Sequence, residues 1–183
     1  KESNIPKFLQ NDIYLFEALV SDLFPSVSIE ETVNEKLKGK TLDVISEMKL
    51  GNSADVALKV MQLHEVVNIR FGLMLVGEAG VGKTTCYRIL KSAMNKVLDA
   101  DPDAGKKYSR VEERVVNPKS VTMGELYGEI DLLSQEWTDG LLSSIMRECN
   151  NDEAKGHFWV TLDGPVDAMW IENLNTVLDD NMT

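Results

Sequence analysis

The chain has 183 residues, enough for one well-buried domain or for a domain carrying a helical extension. Thirty acidic residues against nineteen basic ones give a net charge of -11, which argues against a nucleic-acid backbone or an anionic membrane surface as the main partner. No apolar run approaches the ~18 residues of a membrane-spanning helix, and the start Lys1-Glu2-Ser3-Asn4 is no signal peptide. Cys86 and Cys149 stand far apart without metal-ligand spacing and are expected to be reduced thiols of a soluble, intracellular protein.

Residues 1–64 read as a helical lead-in and 65–183 as the core. Asn11 or Asp12 caps a first helix whose apolar face is Ile13, Leu15, Phe16, Leu19, Val20 and Leu23, ended by Pro25. A second helix is expected from Ser28, with Glu30 and Glu31 in its first turn and Lys36, Lys38 and Lys40 towards its end, as the helix dipole favours. The third is the clearest: Ser53 caps it, and Val56, Val60, Leu63 and Val67 recur at helical spacing. His64 has no second His or Cys beside it and reads as a packed or surface histidine.

Phe71, Leu73, Met74, Leu75 and Val76 form an apolar run, expected as a strand, that leads into Gly77-Glu78-Ala79-Gly80-Val81-Gly82-Lys83-Thr84. The spacing G-x-x-x-x-G-K-[ST] has a mechanical reason. Glycines let the loop curl so that backbone N–H groups converge on a phosphate chain, and the following helix points its positive dipole end there. Residues Gly77, Glu78, Ala79, Gly80, Val81, Gly82, Lys83, Thr84 and Thr85 are therefore the candidate nucleotide contacts, with ATP or ADP as ligand. Lys83 is expected to reach the β- and γ-phosphates, and Thr84 to offer its hydroxyl to Mg²⁺.

A helix over 82–99 follows, with Cys86, Ile89, Leu90, Ala93, Met94 and Val97 on its buried side. The polar turn 101–107 separates it from a strand at 110–116, broken by Asn117-Pro118-Lys119. Residues 120–130 read as a short helix or turn. Thr138 or Asp139 caps a helix using Leu141, Leu142, Ile145 and Met146, residues 158–162 form a buried strand, and a last helix spans 166–178. Strands alternating with helices imply an α/β fold, a parallel sheet with helices on both faces.

The acid closing an apolar strand is the expected partner of a phosphate loop, because it can hold the water shell of Mg²⁺. Leu162-Asp163 supplies it, making Thr84 and Asp163 the candidate metal ligands. In ring-forming ATPases the acid is followed by a Glu that polarises the attacking water, and here Gly164 stands in that place. Loss of a positioned general base slows chemistry by ~10²–10⁴. Asp167, three residues on, becomes a catalytic candidate only if the Gly164-Pro165 turn folds it back towards the phosphates. Tight binding with slow or absent hydrolysis is the expectation.

Several long stretches resemble the dynein heavy chain, and within its six-module AAA+ ring the second module. They are residues 76–85, 117–128, 136–141 and 159–181, with the lead-in 3–9 similar to the segment entering that module; the version Met123-Gly124-Glu125-Leu126-Tyr127-Gly128 is more similar to axonemal than to cytoplasmic dyneins. The resemblance implies a P-loop NTPase (AAA+) fold that stops near Asn181, before the remaining core strands and the helical lid, as a piece of a longer polypeptide. It implies that the first module drives the power stroke while this one binds ATP in a structural or regulatory role. It also implies Ile5 and Pro6 as base contacts, a module face begun by Trp137-Thr138-Asp139-Gly140, and partners in the neighbouring AAA+ modules and, through the parent chain, the microtubule. Neither nucleic acid nor membrane is an implied partner, and the implied location is the cytoskeleton of a ciliary or flagellar axoneme. The alternatives are a free-standing P-loop ATPase or small-molecule kinase, and an interaction domain with a vestigial loop; the intact Gly82-Lys83-Thr84 speaks against the last.

Overall fold

The computed structural model describes residues 8–25, 34–51, 53–101, 109–151 and 156–175. By contacts the chain divides into two compact units, Lys1–Val97 and Leu98–Thr183. The expected boundary of the lead-in, residue 64, lies inside a helix of the first unit.

In the first unit, α1 (Gln10–Leu23) starts earlier than its expected caps. Leu9 holds the N-cap position without a side-chain hydrogen bond, and Asn11 and Asp12 sit inside the first turn. Phe16 stacks on Phe8, their ring centroids 4.9 Å apart, while Leu15, Leu19 and Leu23 stay exposed. Helix α2 (Glu35–Glu47) is capped by Asn34, whose Oδ1 accepts from the Leu37 amide at 3.2 Å. Lys36, Lys38 and Lys40 therefore fall in its first half and not near its end; the expected start, Ser28 to Glu31, lies outside the described residues. Helix α3 (Ser53–Ile69) begins at Ser53, the expected cap, and packs on α2, with Leu37, Val44 and Ile45 buried on one helix and Ala57, Val60 and Leu63 on the other. His64 is buried with the Asn68 amide 3.2 Å from Nε2, a packed histidine.

Helix α4 (Lys83–Ala100) buries Ile89, Leu90, Ala93, Met94 and Val97, the stripe that periodicity predicts, with Tyr87 more deeply buried than Cys86. Lys96 on α4 pairs with Glu47 on α2 at 2.5 Å. The expected strand before the phosphate loop is absent: residues 73–78 carry no regular structure, and Val76 is 85% exposed. A strand exists only through a hydrogen-bonded neighbour, and no described strand pairs with this run.

The second unit is built on a parallel pair. Strands β1 (Val111–Val116) and β4 (His157–Leu162) run side by side, from Val111 opposite His157 to Val116 opposite Leu162. Between them the chain makes α5 (Met123–Tyr127), an antiparallel hairpin of β2 (Gly128–Ile130) and β3 (Trp137–Asp139), and α6 (Leu141–Cys149). A connection of this length containing helices is what a parallel pair requires. Val116, Leu126, Leu142, Ile145, Trp170 and Leu174 form the core of this unit, with Val160 and Leu162 packed against it.

Helix α5 opens with a capping box: the Thr122 side chain accepts from the Glu125 amide, and Glu125 Oε2 accepts from the Thr122 amide at 2.8 Å. The hairpin corrects the expected helix cap at Thr138 or Asp139, since both residues are in β3 and Gly140 precedes α6. Its cause is tertiary. A Cβ on Gly140 would lie 2.4 Å from the Gly128 amide nitrogen, so the two backbones meet where only glycine fits. The hairpin turn is closed by Asp131, whose Oδ1 accepts from the amides of Leu133 and Ser134, and its tip carries Leu132 and Leu133 at 87% and 97% exposure. After β4, Asp167 caps α7 (Ala168–Ile171), which tightens into a 3₁₀ turn at Glu172–Leu174; the helix starts two residues later than expected, and residues beyond 175 lie outside those described.

Truncation of Leu126, 1% exposed in the second core, to Ala is expected to cost ~2–5 kcal/mol of unfolding free energy. Leu132→Ala at the hairpin tip should stay within about 0.5 kcal/mol of the parent. Denaturant titrations of both variants check the pair.

Candidate functional site

The phosphate loop forms without strand pairing because its geometry is local. Gly80 and Gly82 take φ values of 83° and 92°, a left-handed backbone that costs any L-residue ~1–2 kcal/mol. Nothing lies within 4 Å of a Cβ built on either, so the requirement there is conformational. Alternating right- and left-handed residues turn successive amides towards one side, the nest that holds anions. Gly82 O accepts from the Cys86 amide at 2.8 Å, so α4 starts directly from the loop. The first turn of α4 contains no acidic residue.

Lys83 folds back over the loop, where Nζ donates to the carbonyls of Gly77 at 2.8 Å and Glu78 at 2.7 Å. The ammonium thus sits at the loop mouth, and Gly77, Glu78, Ala79, Gly80 and Val81 are exposed around it. Thr84 and Thr85 are half-buried in the first turn of α4. This set fits a phosphate chain: a loop turned by two left-handed glycines, a helix N-terminus and one flexible cation. The remaining expected contacts, Ile5 and Pro6, lie outside the described residues.

Cys86, one turn into α4, is half-buried, and burial pushes its thiol up, partly offset by Lys59. Such a thiol is a packing group and a poor nucleophile at neutral pH. Cys149 is likewise free.

In the second unit Asp163 stands exposed just beyond β4, its amide donating to Val116 O at 2.9 Å. Gly164 follows in close contact with the first loop: a Cβ there would lie 3.0 Å from Asn117 Oδ1 and 3.2 Å from Pro118 Cδ. Asp167 is fully engaged. Its Oδ2 pairs with Lys119 Nζ at 2.8 Å and its Oδ1 accepts from the Met169 amide at 3.1 Å. Hydrogen bonding from Lys119, then from the Met169 amide, holds its carboxyl below the usual range, which makes it a weak proton acceptor. Among the described residues no three His, Cys, Asp or Glu side chains form a metal cluster. Mg²⁺ at a nucleotide needs none, since one or two protein oxygens complete a shell of phosphates and water.

Two features are not anticipated by spacing alone, the capping box at Thr122 and Glu125 and the Lys119–Asp167 pair. The first has a readable signal, Thr-x-x-Glu; the second joins residues on two separate loops and has none.

Comparison with known proteins covers the chain from end to end. Residues 72–183 match the family model described as "AAA domain (dynein-related subfamily)", and residues 1–84 match "Hydrolytic ATP binding site of dynein motor region". Among curated relatives, the human proteins named dynein axonemal heavy chain 1 and dynein axonemal heavy chain 6 are each 46% identical over 181 residues, covering 99% of this chain and 4% of the relative. The mouse protein named dynein axonemal heavy chain 3 is 40% identical over 178 residues, 97% of this chain and again 4% of the relative. The chain thus spans about 4% of the length of the curated relatives it matches.

Gly82→Ala should destabilise the chain by ~1–2 kcal/mol through its left-handed φ. Gly39→Ala, inside α2 with nothing within 4 Å, should instead stabilise by ~0.5–1 kcal/mol. Opposite signs in paired denaturation curves are the expected result.

Proposed function

The chain belongs to the dynein-related subfamily of AAA domains, and on that premise we propose that it is a nucleotide-binding module of a dynein heavy chain, the second of the motor ring, holding Mg²⁺-ATP with little hydrolysis. Residues 1–64 are its helical lead-in and 65–183 part of its P-loop core. The observation that carries the reading is the loop itself: Gly80 and Gly82 turned left-handed at the start of α4, with the Lys83 ammonium at the mouth. The assignment to the second module draws on the likeness of residues 117–128 and 159–181.

When bound, Mg²⁺-ATP would supply the phosphate charge and a cation that neutralises part of it. Residues 77–82 would bind it with backbone amides, Lys83 would exchange the Gly77 and Glu78 carbonyls for phosphate oxygens, and Thr84 and Asp163 are the residues that would offer oxygens to the metal and its water. Lys83 loses two hydrogen bonds there and regains charge-assisted ones, a favourable exchange. Ile5 and Pro6 are the candidate contacts for the base.

Among the described residues, none beside Asp163 is a free proton acceptor. Gly164 carries no side chain, and Asp167 is committed to Lys119 and the Met169 amide. The site therefore holds ATP without activating water, in a structural or regulatory role beside neighbouring AAA+ modules. The motor's microtubule track and an axonemal location follow at the level of the whole heavy chain.

A second reading, a hydrolytic module, is favoured by the match of residues 1–84 to a hydrolytic dynein site. That match ends at the phosphate loop, before the strand tip where a base would stand. A free-standing ATPase or kinase would need a second substrate site.

Lys83→Ala is expected to abolish ATP binding, raising Kd by about a hundredfold or more, since a charge-assisted phosphate contact is lost. Gly164→Glu should leave binding intact, with Asn117 and Pro118 shifting by a few tenths of an ångström. Isothermal titration with ATP checks both, and equal loss in the two variants would refute the roles assigned to Lys83 and Gly164.

A further inference from the structure

The carboxyl end of the β1/β4 pair carries interactions that ATP binding as described leaves unused. Two loops leave the sheet side by side, 117–120 after β1 and 163–167 after β4. The first is a closed turn: Asn117 Oδ1 accepts from the Lys119 amide at 3.0 Å, and Asn117 O accepts from the Ser120 amide at 3.1 Å. The second is joined to the end of β1 through the Asp163 amide on Val116 O and rests on the turn through Gly164 against Asn117 and buried Pro118. Its far end is tied to the core, since Trp170 Nε1 donates to Pro165 O at 3.2 Å and the Tyr127 hydroxyl donates to Trp170 O.

The link that closes this frame is the ion pair from Lys119 Nζ to Asp167 Oδ2 at 2.8 Å, on side chains 49% and 31% exposed. At such exposure an ion pair adds little to folding stability. Its value lies in placement. Asp163 is the one carboxylate at the strand tip, four residues before Asp167, and a ligand oxygen held by its surroundings binds metal more tightly than one that must be ordered on binding.

We propose that Lys119 and Asp167 are positioning residues that act through Asp163: by clamping loop 163–167 onto turn 117–120 they keep the Asp163 carboxylate set for Mg²⁺ arriving with ATP. The inference rests on the Mg²⁺-ATP reading above. It gives Asp167 a task other than activating water, and it explains why one residue both caps α7 and reaches across to the neighbouring loop.

The test is isothermal titration of the chain with ATP, once with Mg²⁺ and once with EDTA. Lys119→Ala and Asp167→Asn, the latter retaining an N-cap acceptor, should each weaken binding about tenfold with Mg²⁺ and leave binding in EDTA unchanged. Lys119→Arg should behave as the parent. In an Asp163→Asn background, Lys119→Ala should add no further loss. If Lys119→Ala fails to fold, Asp167→Asn carries the test. The proposal is overturned by equal losses with and without Mg²⁺, by Lys119→Arg losing as much as Lys119→Ala, or by losses that add to that of Asp163→Asn. If Lys83→Ala binds ATP as the parent does, the nucleotide reading falls and this inference with it.

Discussion

The position of the Lys83 ammonium depends on two backbone conformations, at Gly80 and Gly82, that side-chain-bearing residues adopt only at a cost. They turn the chain from an irregular apolar run into the first turn of α4 within a few residues, and they leave room for a long cation to lie across the loop. The phosphate-binding role proposed for residues 77–84 follows from that geometry. In the proposed role a phosphate chain would meet amides, a helix N-terminus and an ammonium without any of them being buried, and Lys83 would exchange its carbonyl partners for phosphate oxygens.

The carboxyl end of the parallel pair imposes the second constraint. A base that activates water must be ionisable near neutral pH and free to accept a proton. Gly164 has no such group and sits tightly on Asn117 and Pro118, while Asp167 is already ionised, paired and capping. On the reading proposed above, the packing that leaves no group to activate water also holds the loop next to Asp163. In the function proposed above, retained binding and lost chemistry are two consequences of one arrangement.

Local pattern carries far where burial follows periodicity. The stripe Ile89, Leu90, Ala93, Met94 and Val97, the start of α3 at Ser53 and the strand ending at Leu162 stand within a residue or two of where the sequence puts them. Pattern fails where a partner decides. Residues 71–76 have strand composition, but strand structure requires a neighbour's backbone, which sequence spacing does not specify. The hairpin of β2 and β3 is hidden for a related reason, since it depends on the close backbone approach of Gly128 and Gly140, which spacing does not specify. Leu9 at the head of α1 has no capping side chain to read. The phosphate loop and Asp163 are legible because their chemistry is written in short spacing; the Lys119–Asp167 pair, bridging two loops, is not.

The measurement that tests the central claim most directly is a single turnover of radiolabelled Mg²⁺-ATP on the heavy chain carrying this segment, following bound nucleotide and released phosphate together, with Lys83→Ala as the blank. Nucleotide that stays bound and intact for many minutes, in excess of the blank, is the predicted result. Phosphate released at a rate that disappears in the blank would contradict a binding-only site, because some group would then be positioning water beside Asp163.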